Sequence, residues 1–330
     1  MRKNCWLFIL LFSIVAAACN NTTQSRAGDT DKNFTSFEAS FLDAYWKQYP
    51  TNSIFIGYGK YYDNLVIPDS IAVANNLAFS RQWADSLNRQ GSKLLNDNNK
   101  ISFNIIKNQL ESDTWYQSVF KSQEWDPSQY NLSGECYYII TQPFAGLDER
   151  LRILSKHLEK ADSYYQAAFK ILKHPTKEHT ELSVMQNEGG LSVFGAGLTD
   201  SIKISHLSDA EKNTLNVNIT KTVTAVKGFV DSLKEILSNK NYVFRSFRIG
   251  KKLFDEKFKY DLATDLTPEA LYNKAVADKQ FYYNRMFHTA YSLWNKYYTA
   301  SKLKTHWHSS SLFLIKYHCS MPTRRIFLIR

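Results

Sequence analysis

Cysteine, glycine and proline are all scarce in this chain of 330 residues, at 4, 12 and 7. With 44% hydrophobic and 15% aromatic residues, that scarcity excludes collagen and low-complexity disorder. The cysteines are scattered as Cys5, Cys19, Cys136 and Cys319, so no disulfide framework can be drawn from them. Long apolar runs are also missing. The one sustained run, Trp6 to Val15, is too short for a comfortable membrane span, which excludes a polytopic membrane protein. The dipeptide His-Glu occurs nowhere, so a helical His-Glu-x-x-His zinc motif is absent. Acid is absent from one whole stretch, residues 301–330.

What the chain does carry is basic charge, 41 Lys+Arg against 31 Asp+Glu, for a net +10. Most of the excess sits at the ends. Arg2 and Lys3 contribute two charges, and Lys302, Lys304, Lys316, Arg324, Arg325 and Arg330 contribute six. Residues 20–300 are left with 33 basic against 31 acidic side chains, a nearly neutral body with no electrostatic reason to bind nucleic acid. The densest basic cluster of the body, Tyr242 to Tyr260, interleaves Phe244, Phe247, Phe254 and Phe258 at helical spacing. It reads as a core face with its lysines on the solvated side, and nucleic acid is not an expected partner.

The N-terminus reads as an export signal over residues 1–19. Arg2 and Lys3 form a positive region, followed by the apolar run and by Ala16, Ala17 and Ala18. Cys19 follows directly, and the arrangement resembles a bacterial lipobox with Ala16 in place of the usual Leu. Cys19 is the expected lipidation site, giving a partner in the membrane through an N-terminal anchor. The protein is expected to be exported and held on the inner or outer membrane, facing the periplasm or cell surface. Residues 20–33, rich in Asn, Thr, Ser, Asp and Gly, read as a flexible tether.

The body reads as long helices. Thr35-Ser36-Phe37-Glu38 has the form of a capping box, with Phe34, Phe37, Phe41, Ala44 and Tyr45 on one face and Pro50 as a stop. Further helices are predicted over 71–94, 101–122 and 148–172. Ser208-Asp209-Ala210-Glu211 opens another, to about Leu237, and Thr267-Pro268-Glu269 starts one to about Tyr298. Tyr137 to Ile140 is the best short strand pattern. An all-α body with minor irregular or β insertions is the expected fold class.

Few constellations point to chemistry. Gly189, Gly190, Gly195 and Gly197 lack the Lys-Ser/Thr of a phosphate loop and read as a loop between helices. His157, His174, His179, His206 and His288 are dispersed. His306-Trp307-His308 and His318-Cys319 look like ligand pairs but sit in the tail, where the bland reading is preferred. Cys136, alone in the body, reads as a buried small hydrophobe.

Tyr45-Trp46-Lys47-Gln48-Tyr49-Pro50 through Gly57, then Tyr61-Tyr62-Asp63 and Ile67-Pro68-Asp69, form a recognisable opening. Asp148-Glu149-Arg150-Leu151-Arg152, Arg248-Ile249-Gly250-Lys251-Lys252-Leu253-Phe254 and Asp265-Leu266-Thr267-Pro268-Glu269 extend it. Over about 34–300 the chain resembles the N-terminal half of the bacterial family called domain of unknown function 885, whose members are often exported lipoproteins. The resemblance implies a helical cleft similar to zinc oligopeptidases and carboxypeptidases, in which a His-Glu…Gly-His helix and a later Glu hold zinc and activate water. Those ligands lie in the other half of the family, so no catalytic or metal residue transfers here. Zinc is expected of full-length members and no cofactor of this chain. Trp46, Tyr62, Arg150 and Arg248 stand at family positions that line the cleft or brace the fold, with bracing preferred. The chain reads as a truncated, inactive member; a helical lipoprotein that binds peptides or glycans without cutting them is the alternative.

The tail, 301–330, fits neither the helices before it nor the family. When its codons are reread one frame over, permitted choices yield an amphipathic helix followed by an Asn-Pro-Glu-Asp helix start. We read it as a frameshift product. Sequencing the gene is expected to show a His-Glu motif downstream in the alternative frame, and its absence there disposes of the frameshift.

Overall fold

The computed structural model describes residues 30–297. Cys19, the segment read as an export signal and the acid-free tail lie outside those residues. Two compact units are distinguished, one up to Phe254 and one from Asp255 onward. Every regular element among the described residues is helical, and extended backbone pairs only in an isolated parallel bridge between Thr176 and Arg245. The all-α class expected from the sequence therefore holds.

In the first unit, helix α1 covers 30–48 and is already under way inside the segment read as tether. The Thr35 and Ser36 hydroxyls donate to the carbonyls of Asp31 and Lys32, at 3.0 and 3.1 Å, as these residues do in mid-helix. The capping-box reading at 35–38 is thereby corrected. Pro50 takes the first position of α2 (Pro50–Phe55), where a missing N–H costs nothing. Helices α3 (Ser70–Gln90) and α4 (Asp97–Trp115) begin at Asp69 and Asn96, whose side chains accept from Ala72 N and Asn99 N. Phe34, Phe41 and Tyr45 of α1 meet Leu87 of α3 and Phe103, Ile106 and Leu110 of α4 in one aromatic-rich core. Trp83 packs edge-on against Phe37 and Phe41, with ring centroids 5.5 and 5.4 Å apart.

A second, larger core is built by α5 (Ser133–Thr141), α6 (Leu147–Leu158), α7 (Ala161–Ile171), α8 (Lys177–Gly190), α9 (Ala196–Ile204) and α10 (Asp209–Ser238). The longest of them, α10, buries Leu215, Asn218, Thr222, Val226, Phe229 and Leu233, one continuous stripe at spacings of three and four. Its capping box forms as predicted, with Ser208 and Glu211 bonded reciprocally. Arg152 also reaches Glu211 at 2.8 Å, and these donors, Arg152 foremost, hold the Glu211 carboxyl down at about 2.

Three further sequence readings change. Tyr137 to Ile140 is helical because Cys136 and Ile139, both fully buried, need the turn of α5 to reach the core together. The predicted helix 148–172 is two helices. Leu151, Leu154, Leu158, Ala161, Tyr165 and Ala168 are all buried, so the apolar phase runs straight across the break and periodicity cannot show it. Gly189 and Gly190 end α8 rather than forming a loop, while Gly195 and Gly197 open α9. At Gly190 a Cβ would lie 2.4 Å from Ser133 Oγ and 2.6 Å from its Cβ, so a bare backbone is what lets α8 approach α5.

The segment 239–250 is irregular and Gly250 adopts φ 82°, so helix α11 (Lys251–Leu262) starts later than the phenylalanine spacing suggests. Phe247 and Phe254 are about half exposed and α11 buries no residue, which overturns the core-face reading of 242–260. In the second unit, α12 (Pro268–Tyr297) starts at the predicted Thr267, whose hydroxyl accepts from Ala270 N at 3.1 Å. No helix among the described residues is long and apolar enough to cross a membrane.

Inside the first core, Asp113 accepts from Gln109 Nε2 at 2.8 Å through one oxygen. Its other oxygen, Tyr49 Oη and Ser80 Oγ are buried without a hydrogen-bond partner. Burial raises the Asp113 carboxyl from its ordinary 3.8 to about 6, against the opposing effects of Gln109 and Tyr45. The folded state then binds a proton that the unfolded chain has released, so stability falls as pH rises between about 4 and 6. Wild type should be about 1.4 kcal/mol more stable to urea at pH 5 than at pH 7.5 through this group, and Asp113→Asn should flatten that slope. Parallel pH profiles for the two proteins refute the assignment.

Candidate functional site

Two of the four family positions, Tyr62 and Arg150, are tied to neighbouring helices by hydrogen bonds. In Tyr61-Tyr62-Asp63, three successive side chains point to three partners. The Tyr61 hydroxyl, Tyr58 hydroxyl and Lys60 ammonium converge on the Asp43 carboxylate of α1 at 2.8, 2.9 and 2.9 Å. Lys60 foremost, with the two phenols, holds the Asp43 carboxyl near 2. Tyr62 is buried in the larger core, with its ring edge-on to Phe144 at 4.8 Å and its hydroxyl accepting from Gly59 N. Asp63 pairs with Lys156 of α6 at 2.7 Å. Trp46, half-buried on α1, packs edge-on against Tyr45 at 5.0 Å. Arg150 donates to the Ile140 carbonyl and so satisfies the C-terminal end of α5. Arg248 is exposed on the connection to α11. Tyr62 thus packs on Phe144, between α5 and α6, and Arg150 ties α6 to the end of α5, while Trp46 and Arg248 lie elsewhere.

Beneath Tyr62 lies a polar pair that the sequence did not reveal. His157 is fully buried, with Nδ1 3.0 Å from the Tyr62 carbonyl and Nε2 3.1 Å from Glu135 Oε1. A carbonyl only accepts, so Nδ1 carries a proton, and a further proton lies between Nε2 and Oε1. Both ring nitrogens are therefore committed to the interior. Cys136 beside them is free and fully buried, and burial pushes its thiol up, away from nucleophilic use.

Among the described residues no group of three or more His, Cys, Asp or Glu converges as a ligand set. The one buried His–carboxylate pair spends both imidazole nitrogens on protein partners. These residues do not fit a zinc ion, and no step is assigned to one.

A cavity of about 870 Å³ opens among three segments far apart in sequence. One is the start of α3, with Asp69, Ser70, Val73 and Leu77. Asp69 belongs to the family block Ile67-Pro68-Asp69, so that block sets one rim of the groove. The second follows α4, where Tyr116–Phe120 forms a π-turn inside the predicted helix 101–122. Such a turn aligns residues five apart, and Trp115 stacks on Phe120 at 5.1 Å as a result. Lys121 then turns the chain at φ 51°, in the left-handed region, and leads to Gln123 and Glu124 at the rim. The third is α7 and its end, with Gln166, Ala167, Lys170, Ile171 and Lys173. Lys173 and Glu124 pair at 2.7 Å and separate this groove from a smaller cavity of about 380 Å³ beside Trp125, whose ring is covered by the Arg245 guanidinium at 4.5 Å. Apolar floor, amide-bearing walls and cationic rim are the attributes of a ligand groove. No single segment carries a motif for it, which is why sequence reasoning passed it by.

The family model described as bacterial protein of unknown function, DUF885, matches residues 50–308. Among solved structures, a candidate lipoprotein of unknown function from Shewanella oneidensis is similar, with 34% identity and a TM-score of 0.77. The match covers 88% of this chain and 54% of that one, so the chain spans about half the length of the structure it matches. No curated protein matches significantly.

The two kinds of polar residue described above should respond differently to truncation. His157→Ala leaves the Glu135 carboxyl buried and alone, and should cost about 3 kcal/mol in urea unfolding. Arg248→Ala, on an exposed connection, should cost less than about 0.5 kcal/mol. Equal losses refute the bracing role of the buried pair.

Proposed function

The chain belongs to the DUF885 family of bacterial proteins, and we propose that it is an exported, lipid-anchored helical protein that holds a peptide or glycan rather than cutting it. Anchoring through Cys19 is supported by the Ala16-Ala17-Ala18-Cys19 sequence and by the similarity to a candidate lipoprotein. The holding role is carried by one observation, the 870 Å³ groove whose rim is set by a family block. Its serine and glutamine side chains can bond to amides or hydroxyls, and its floor can take apolar parts of a ligand. Zinc-activated hydrolysis is what the family resemblance implies for a fuller member. We assign it to residues outside this chain, because neither a His-Glu dipeptide nor a converging donor set among the described residues is available here. In this reading the chain is one wall of a cleft, and the domain of 34–300 is its helical body.

The full chain, purified in detergent, is expected to bind an oligopeptide or oligosaccharide saturably, with substoichiometric zinc and no turnover. Stoichiometric zinc together with peptide hydrolysis overturns the non-catalytic reading.

A further inference from the structure

We propose that the groove selects ligands ending in a carboxylate that is flanked by an amide N–H and an apolar side chain, an inference resting on the holding role above. The first support is the distribution of charge. Of the five charged residues on the groove, Lys173 and Glu124 neutralise each other at 2.7 Å. Asp69 is turned to its own helix, accepting from Ala72 N at 2.8 Å. Lys121 and Lys170 form no ion pair with any described residue. A cationic rim with both acids engaged favours an anion of small size.

Backbone donors stand beside that rim. The groove is lined by Ser70 and Ile71, the first two residues of the 21-residue helix α3, whose N–H groups have no carbonyl within the helix to bond. Lys121 is brought to the same groove by the π-turn and held there by its own N–H, which donates to the Tyr116 carbonyl at 2.8 Å. Helix amides and a lysine together suit a carboxylate.

The second support is an acceptor with nothing to accept from. Gln117 lines the groove, and its buried Oε1 has no hydrogen-bond partner. A turn of the Gln117 side-chain amide toward the groove would bring that acceptor to a ligand N–H, which an unsubstituted fatty acid lacks. Half-buried Leu77, Ala167 and Ile171 form the apolar part of the lining. Carboxylate, amide N–H and apolar side chain are the three features of a peptide C-terminus, and also of an N-acylated amino acid. The chemistry is shared, and the two sources are separable by length.

Calorimetry on the full chain in detergent tests this with three probes: N-acetyl-Ala-Ala-Leu, the same peptide as its C-terminal amide, and N-acetylleucine. The free acid is expected to bind at least about tenfold more tightly than the amide. Lys121→Ala/Lys170→Ala should remove most of that preference. Both lysines are exposed, and an unchanged melting curve shows that the variant is folded. N-acetylleucine binding as tightly as the tripeptide supports an N-acylated amino acid as the source; tighter tripeptide binding supports a peptide end. Equal affinity for acid and amide, unaffected by the lysine substitutions, overturns carboxylate selection and leaves the holding role standing. No binding of any probe at millimolar concentration, with a glycan still bound, overturns this inference alone. If peptides and glycans both fail to bind, the holding role fails with it.

Discussion

The first unit depends on how one loop, the stretch between α2 and α3, is pinned to two hydrophobic cores at once. The Asp43 carboxylate gathers three donors from this loop and so ties it to α1 and the aromatic core. The next residue, Tyr62, is inserted into the other core, where its carbonyl is bonded to His157. Asp63 and Asp69 finish the attachment, one on α6 and one at the start of α3. A loop of this kind would ordinarily be the most mobile part of a helical protein. Here its backbone is fixed by side chains of alternating destination.

The groove inherits its shape from that attachment. Its three walls come from α3, from the turn after α4 and from α7, and none of these is adjacent in sequence to another. The start of α3 is set by Asp69, the turn by the stacking of Trp115 on Phe120, and the end of α7 by the Lys173–Glu124 pair. Each is a local preference with its own cause. A ligand groove arises where the three coincide, which accounts for both its irregular lining and its mixed polarity.

How much of this could be read from the sequence follows from the range of each interaction. Caps are local, so Ser208-Asp209-Ala210-Glu211 and Thr267-Pro268-Glu269 announced α10 and α12 correctly. Thr35 and Ser36 offered the same letters in mid-helix, where their hydroxyls serve carbonyls one turn back. Hydrophobic period shows that a face is buried but not that the chain is continuous, and the break between α6 and α7 keeps the phase intact. Phe244 and Phe247 had helical spacing without a helix to carry it. The polar pair of Glu135 and His157 spans twenty-two positions, and nothing in either neighbourhood hints at the other. In Tyr61-Tyr62-Asp63 the pattern singles out Tyr62 alone as a brace, and which partner each side chain takes is a property of the assembled cores.

The contact at Gly190 and Ser133 carries a consequence for descent. Helices α5 and α8 meet there with no room for a single added carbon, and Ser133 already spends its hydroxyl on Asn131. A lineage cannot drift at position 190 and leave 133 untouched, since any side chain at one displaces the other. Among descendants of this fold, a residue larger than glycine at 190 marks a lineage in which the α5–α8 packing was rebuilt.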